Sequence, residues 1–154
     1  MLRTLTVVFL LGLVGCTAEP PPAPPVSGPE FNLVTNLHET MLYVLDPATD
    51  VVWGSAGSII TEDGEQDLRP TTQQGWDHVR NNAAIVAETG NLLMMPGRAM
   101  GESDWMELSR GLTNAGLLAM KAAEAQDDEA LFEAGGQIYN VCKACHAQYI
   151  QGED

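Results

Sequence analysis

Cys142-Lys143-Ala144-Cys145-His146 places two thiols and an imidazole within one short run of the chain. Two cysteines three apart, followed at once by a histidine, have the C-x-x-C-H spacing of covalent c-type haem attachment. In that chemistry the thiols add across the haem vinyl groups and the adjacent imidazole becomes an axial iron ligand. On a helix, Cys142 lies three residues from Cys145 and four from His146, so all three project from one face. One helical turn then holds a porphyrin edge by two thioethers and offers a nitrogen to its iron. Two other chemistries share part of this pattern: a redox-active C-x-x-C pair that happens to precede a histidine, and half of a zinc site. A structural zinc site wants four ligands. The chain has three cysteines, no second C-x-x-C, and only His38 and His78 as further histidines. One covalently attached haem c is therefore the expectation.

The elements that must position this motif read as helices from residue 30 onward. Leu33, Val34, Leu37, Met41, Leu42 and Leu45 recur at three- and four-residue intervals, as an amphipathic helix requires. Pro47 interrupts it; Asp46 is a candidate cap for a restart with Pro47 in the first turn, and Val51-Val52-Trp53 continues toward Ile60 as either a kinked extension or a short second helix. Thr61 to Pro70 is acidic and glycine-bearing and reads as a loop. Thr72 offers an N-cap for a helix through Trp76, Val79, Ala83, Val86 and Leu93, stopped by Pro96-Gly97. Ser103 caps the next, with Trp105, Leu108, Leu112, Ala115, Leu118 and Ala122 on one stripe. Asp127 and Asp128 start the last, which turns Leu131, Ala134, Ile138, Val141, Cys142, Cys145 and Tyr149 inward. No segment shows sustained period-two alternation, and no internal repeat is present. The expected fold is all-α, an antiparallel up-and-down four-helix bundle with the haem motif on its C-terminal helix.

The opposite end of the chain bears on where the chemistry happens. Met1 to Cys16 has one early positive charge, Arg3, then an apolar run from Leu5 to Val14. That run is too short to span a bilayer as a helix and has the form of a secretory signal. It ends in Leu13-Val14-Gly15-Cys16, which resembles the lipobox of bacterial lipoproteins. The resemblance implies cleavage before Cys16 and acylation of that residue, and several acyl chains suffice for stable anchoring. Thr17 stands where, by the same resemblance, an aspartate would favour the inner membrane, so the outer membrane facing the periplasm is the expected address. With Cys16 lipidated and Cys142 and Cys145 on haem, no cysteine remains for a disulfide. Thr17 to Pro29 is nearly half proline and favours extended polyproline II, with a reach on the order of 40 Å. The expected organisation is a lipoprotein signal peptide over 1–15, the lipidated cysteine and linker over 16–29, and one cytochrome domain over 30–154.

A haem motif on the last helix of a bundle resembles the class II cytochromes c, the cytochrome c′ and cytochrome c-556 family; most other c-type cytochromes carry it near the N-terminus. The match covers residues 30–150, and its most specific piece is CKACHAQY, with Tyr149 three after His146. The stretch NLLMMPGR, Asn91 to Arg98, resembles a lipoprotein-type branch of that family. Two positions depart from it. Ile150 follows Tyr149 where a basic residue is common, and Leu37 stands where many members have an arginine one turn before the distal residue. Lys143, Arg80 and Arg98 are the candidates to meet the haem propionates instead; otherwise each is a solvated surface charge.

In that family the first helix covers the sixth coordination site. A small apolar residue there leaves iron open to gases such as nitric oxide, and a methionine there makes a carrier of electrons. Here His38 and Met41 both fall within about 40° of the stripe's centre, so periodicity leaves the choice open. The resemblance favours Met41, six before Pro47, and a neutral sulfur would raise the reduction potential by stabilising ferrous iron. A site with no distal protein ligand, binding gases, is the alternative, and ordinary core packing is the other reading of Met41.

Other conspicuous residues have plainer readings. Met94, Met95 and Met100 surround a helix end and read as core and rim rather than a copper site. Trp53, Trp76 and Trp105 are expected to lock helix ends, each indole N–H meeting a carbonyl or water. Gly135-Gly136 lowers helix propensity in the last helix and implies close approach of a neighbouring helix or of the macrocycle. The formal charge is −14, and loss of Arg3 with the signal makes it more negative. Such a surface repels nucleic acid and either steers basic redox partners in the periplasm or merely keeps the protein soluble. No nucleophile stands with a base and no carboxylates pair at a catalytic spacing, so an enzyme is not expected. The family resemblance also implies a homodimer through the first two helices. Val44, Val51 and Trp53 are a candidate apolar patch for that contact, unless they pack under the 61–70 loop.

Overall fold

A computed structural model describes residues 31–150, residue 102 excepted. The signal peptide, Cys16 and the proline-rich linker lie outside the described residues. The chain divides into two units, 1–30 and 31–154.

Asn36 opens the first helix with a capping box. Its side chain accepts from the Glu39 amide at 2.8 Å while Glu39 accepts from the Asn36 amide at 3.0 Å. The helix therefore begins at Leu37, later than the apolar stripe predicts, and Val34 is left 85% exposed. Three segments then follow one another directly: α1 (Leu37–Thr40), a π-helical turn (Met41–Leu45) and α2 (Asp46–Trp53). Pro47 lies in the first turn of α2, as expected, and α2 follows the π turn without a break. The restart carries no side-chain cap, Asp46 is simply its first residue, and the π turn carries the backbone across.

The helix does not extend to Ile60, and the segment after it is not a plain loop. Ser58–Thr61 (β1) and Gly64–Asp67 (β2) form an antiparallel hairpin, with Thr61 opposite Gly64. Every strand residue is exposed. With neither face buried, nothing selects alternating apolar residues, so the sequence carries no period-two signal. Arg69 ties the hairpin's base to Asp67 at 2.9 Å and to Asp128 at 3.8 Å.

Thr72 caps α3 (Gln73–Leu93) as predicted, accepting from the Gly75 amide at 3.1 Å. Trp76, Val79, Ala83, Val86 and Leu93 form its buried face. Ser103 precedes α4 (Asp104–Ala125) but makes no capping bond. Leu118, expected on the stripe of α4, is 42% exposed, while Trp105, Leu112, Ala115 and Ala122 are buried. Gly90 of α3 and Gly116 of α4 let the two backbones meet. A Cβ at Gly116 would lie 2.5 Å from the Ala87 amide nitrogen, and Thr113 donates to the Ala87 carbonyl at 3.1 Å. Left-handed Gln126 ends α4, and Asp127 caps α5 (Asp128–Tyr149) by accepting from the Ala130 amide at 3.0 Å. So short a link folds α5 back along α4.

The protein is predominantly helical: α2 packs on α3, α3 on α4, α4 on α5, and α5 on α2. Their shared core is centred on Val52, Val79, Val86, Trp105, Leu131 and Ile138.

Candidate functional site

The last two turns of α5 carry the chemistry-bearing residues. Val141, Cys142, Cys145 and Tyr149 are half-buried along one face, while Lys143 and His146 are exposed. The inward residues pack against the core, so the helix keeps its thiols at the protein's edge rather than in open solvent. The position of this end is set by Trp105. That residue is 2% exposed, donates to the Leu93 carbonyl at 2.7 Å and meets the Tyr149 ring edge-to-face, with centroids 4.9 Å apart.

Opposite these turns stand Met41 and Leu45 of the π turn, Leu93 at the end of α3, and Leu108, Ser109 and Leu112 of α4. Together with Val141, Cys142, Cys145 and His146 they line a cleft of about 30 Å³. Its walls are apolar apart from Ser109 and the site residues. The structure thus brings together four of the residues singled out from sequence: Met41, Cys142, Cys145 and His146. His38 is exposed and is not among the lining residues. Ser109 and Leu93 were not foreseen as part of the site. Ser109 lies four after Trp105 and three before Leu112, and that spacing on the buried stripe was the available signal.

Burial raises the Cys142 thiol's pKa, with neighbouring Cys145 and Asp46 adding to the effect, and burial raises that of Cys145. Burial thus disfavours the thiolate at both sulfurs, the opposite of the lowered pKa that marks a reactive redox cysteine. They are free, not joined as a disulfide. Among the described residues no group of three or more histidine, cysteine and carboxylate side chains converges to hold a bare metal ion.

Two of the three cations considered as propionate partners, Arg80 and Arg98, are engaged with other groups. Arg80 pairs with Asp77 at 2.9 Å. Arg98 is not a solvated charge: it is 8% exposed and donates to the Leu92 carbonyl at 3.1 Å and the Thr35 carbonyl at 3.0 Å. It fastens the segment before α1 to the end of α3. The Met95 sulfur lies 3.8 Å from this guanidinium, an unfavourable neighbour for a copper ion at that sulfur.

A larger apolar groove of about 330 Å³ runs between α2 and α5, lined by Val52, Trp53, Phe132, Gly135, Gly136 and Tyr139 among others. The Trp53 indole crosses to α5 and donates to the Gly135 carbonyl at 3.0 Å. The groove holds no thiol, imidazole or carboxylate, so the smaller cleft is the site with chemistry. No family model, curated protein or solved structure matches the chain.

Proposed function

We propose that the chain is an exported, membrane-anchored c-type cytochrome that carries one covalent haem c and transfers single electrons. The observation that carries this reading is the position of Met41 on the wall of the cleft that Cys142, Cys145 and His146 also line. The donor set fits a haem. The macrocycle brings its own four nitrogens, so the chain need supply only one or two axial ligands, and the apolar lining suits a porphyrin face. A cleft of about 30 Å³ is far below the roughly 300–1,000 Å³ of ordinary ligand sites. Loading must therefore part α1 and the π turn from α5, and half-buried Met41 and Leu108 are the side chains placed to yield.

Haem supplies a one-electron iron couple. In this reading Cys142 and Cys145 would hold the haem covalently, His146 and Met41 would supply its protein ligands, and the neutral Met41 sulfur would favour the reduced form. Leu45, Leu93, Leu108, Leu112 and Val141, which line the cleft, would exclude water there and favour the lower-charged state further. The ring of packing contacts through α2, α3, α4 and α5 supports the finer architecture, an antiparallel up-and-down four-helix bundle. Among the described residues no helix is long and apolar enough to cross a membrane. Attachment is assigned to acylated Cys16, with the domain in the periplasm, at the outer membrane, and basic redox proteins as partners.

A pyridine haemochrome spectrum of protein matured with its export machinery tests the reading. A haem c signal with both vinyl groups saturated is expected. Protein that matures without haem sinks it and leaves a helical lipoprotein of another kind.

A further inference from the structure

The π-helical turn at Met41–Leu45 is the most irregular backbone among the described helices, and such turns are rare and frequent at functional sites. Its cause is local. A regular helix would bond the N–H of residue 47 to the Tyr43 carbonyl, but Pro47 has no N–H and its ring presses on that carbonyl. In the π turn Asp46 instead donates five residues back, to the Met41 carbonyl.

The turn also resets the helix phase. Leu37, Met41, Leu45 and Thr49 follow at intervals of four, and in an unbroken α-helix the last would lie about 120° round from the first. One inserted residue removes about 100° of that drift, bringing Thr49 to about 20° from Leu37, with Met41 about 40° from Leu37. The burial pattern agrees. Leu45 and Thr49 are 5% and 2% exposed, Leu37 and Met41 pack against the core, and Leu42 and Tyr43 are 47% and 67% exposed.

We infer that Pro47 is a positioning residue: the π turn it imposes is what rotates Met41 into the cleft that His146 lines. This rests on the proposed ligation by Met41. In a regular helix running back from Leu45, the angular place of Met41 falls to Leu42, whose side chain has no donor atom.

The test uses the haem-loaded protein and its apo form. Pro47 is exposed and alanine is the best helix former, so Pro47→Ala removes no core contact. Pro47→Ala is expected to turn the ferric spectrum from low-spin to high-spin and to abolish the far-red sulfur-to-iron band. Adding Leu42→Met to that variant is expected to restore both, while Leu42→Met alone changes neither. In the apo form the new amide of residue 47 should become protected from hydrogen exchange. Pro47→Ala that stays low-spin while Met41→Ala becomes high-spin overturns the inference and leaves the ligand assignment intact. So does a high-spin Pro47→Ala that Leu42→Met fails to rescue, or a variant that loses its helical circular dichroism, since Pro47 would then serve the fold. A Met41→Ala protein with an unchanged spectrum removes the ligand assignment itself, and this inference with it.

Discussion

Trp105 and Tyr149 meet edge-to-face at 4.9 Å and an interplanar angle of 86°, joining the first turn of α4 to the last turn of α5. The Trp105 indole also donates to the Leu93 carbonyl, so one side chain gathers the ends of three helices around the cleft. Trp105→Phe keeps most of the ring and loses the buried hydrogen bond. It should cost about 1–3 kcal/mol and lower Tm by several degrees, measured by thermal and urea unfolding of the apo domain. An unchanged midpoint would mean that the Leu93 carbonyl finds another donor.

Two helical glycines should respond in opposite directions. At Gly136 nothing lies within 4 Å of an added Cβ, so Gly136→Ala should stabilise the domain by about 0.5–1 kcal/mol through helix propensity. At Gly116 the added atom meets the Ala87 backbone, and Gly116→Ala should destabilise by about 1–3 kcal/mol. Denaturant midpoints of the two variants decide it, and a shift of the same sign in both would refute the packing described for α3 and α4.

The thiols of the apo protein should be poorly reactive at neutral pH. Both titrate above the ordinary value of 9.0 because burial disfavours the thiolate. Iodoacetamide labelling should therefore rise only in the alkaline range, later than for a free thiol. The linked effect on folding has a definite sign. The unfolded chain loses these protons first, so stability is unaffected below about pH 9 and falls as pH rises from there through the folded-state values. Replacing both cysteines by serine should flatten that alkaline limb. Rapid labelling at pH 7 would show that the sulfurs are not shielded.

The two candidates for the sixth ligand should separate cleanly. His38→Ala should leave the spectrum of the haem-loaded protein unchanged, since that side chain is exposed and does not line the cleft. Met41→Ala should become high-spin and bind carbon monoxide readily. A wild-type protein that is already high-spin would favour the gas-binding alternative.

Much of the helical layout was legible in the residues, for identifiable reasons. Thr72 and Asp127 announce α3 and α5 because an N-cap is a local bond between a side chain and an amide two or three residues on. The buried stripes of α3 and α5 follow from periodicity. The hairpin was not legible, because strands exposed on both faces impose no pattern. Nor was the π turn: Pro47 signals a disturbance, but whether the helix breaks or takes in an extra residue depends on the core contacts of Ala48, Thr49 and Val52 beyond it. At the site, C-x-x-C-H is explicit. That Met41 and not His38 lines the cleft was not legible, because both lie near the centre of the apolar stripe on an ideal 100° wheel. Arg98 misled for a related reason, since its acceptors are main-chain carbonyls, one of them at Thr35 far along the chain.

The half-burial of Cys142 and Cys145 has a consequence for the order of events during maturation. A sulfur already tucked against Leu45, Leu93 and Leu112 in a narrow cleft is hard for any enzyme to reach. In the proposed reading, haem attachment and collapse of the helices would therefore compete for the same chain. A variant that folds faster should then leave a larger share of molecules permanently colourless, and a mildly destabilised one should mature more completely.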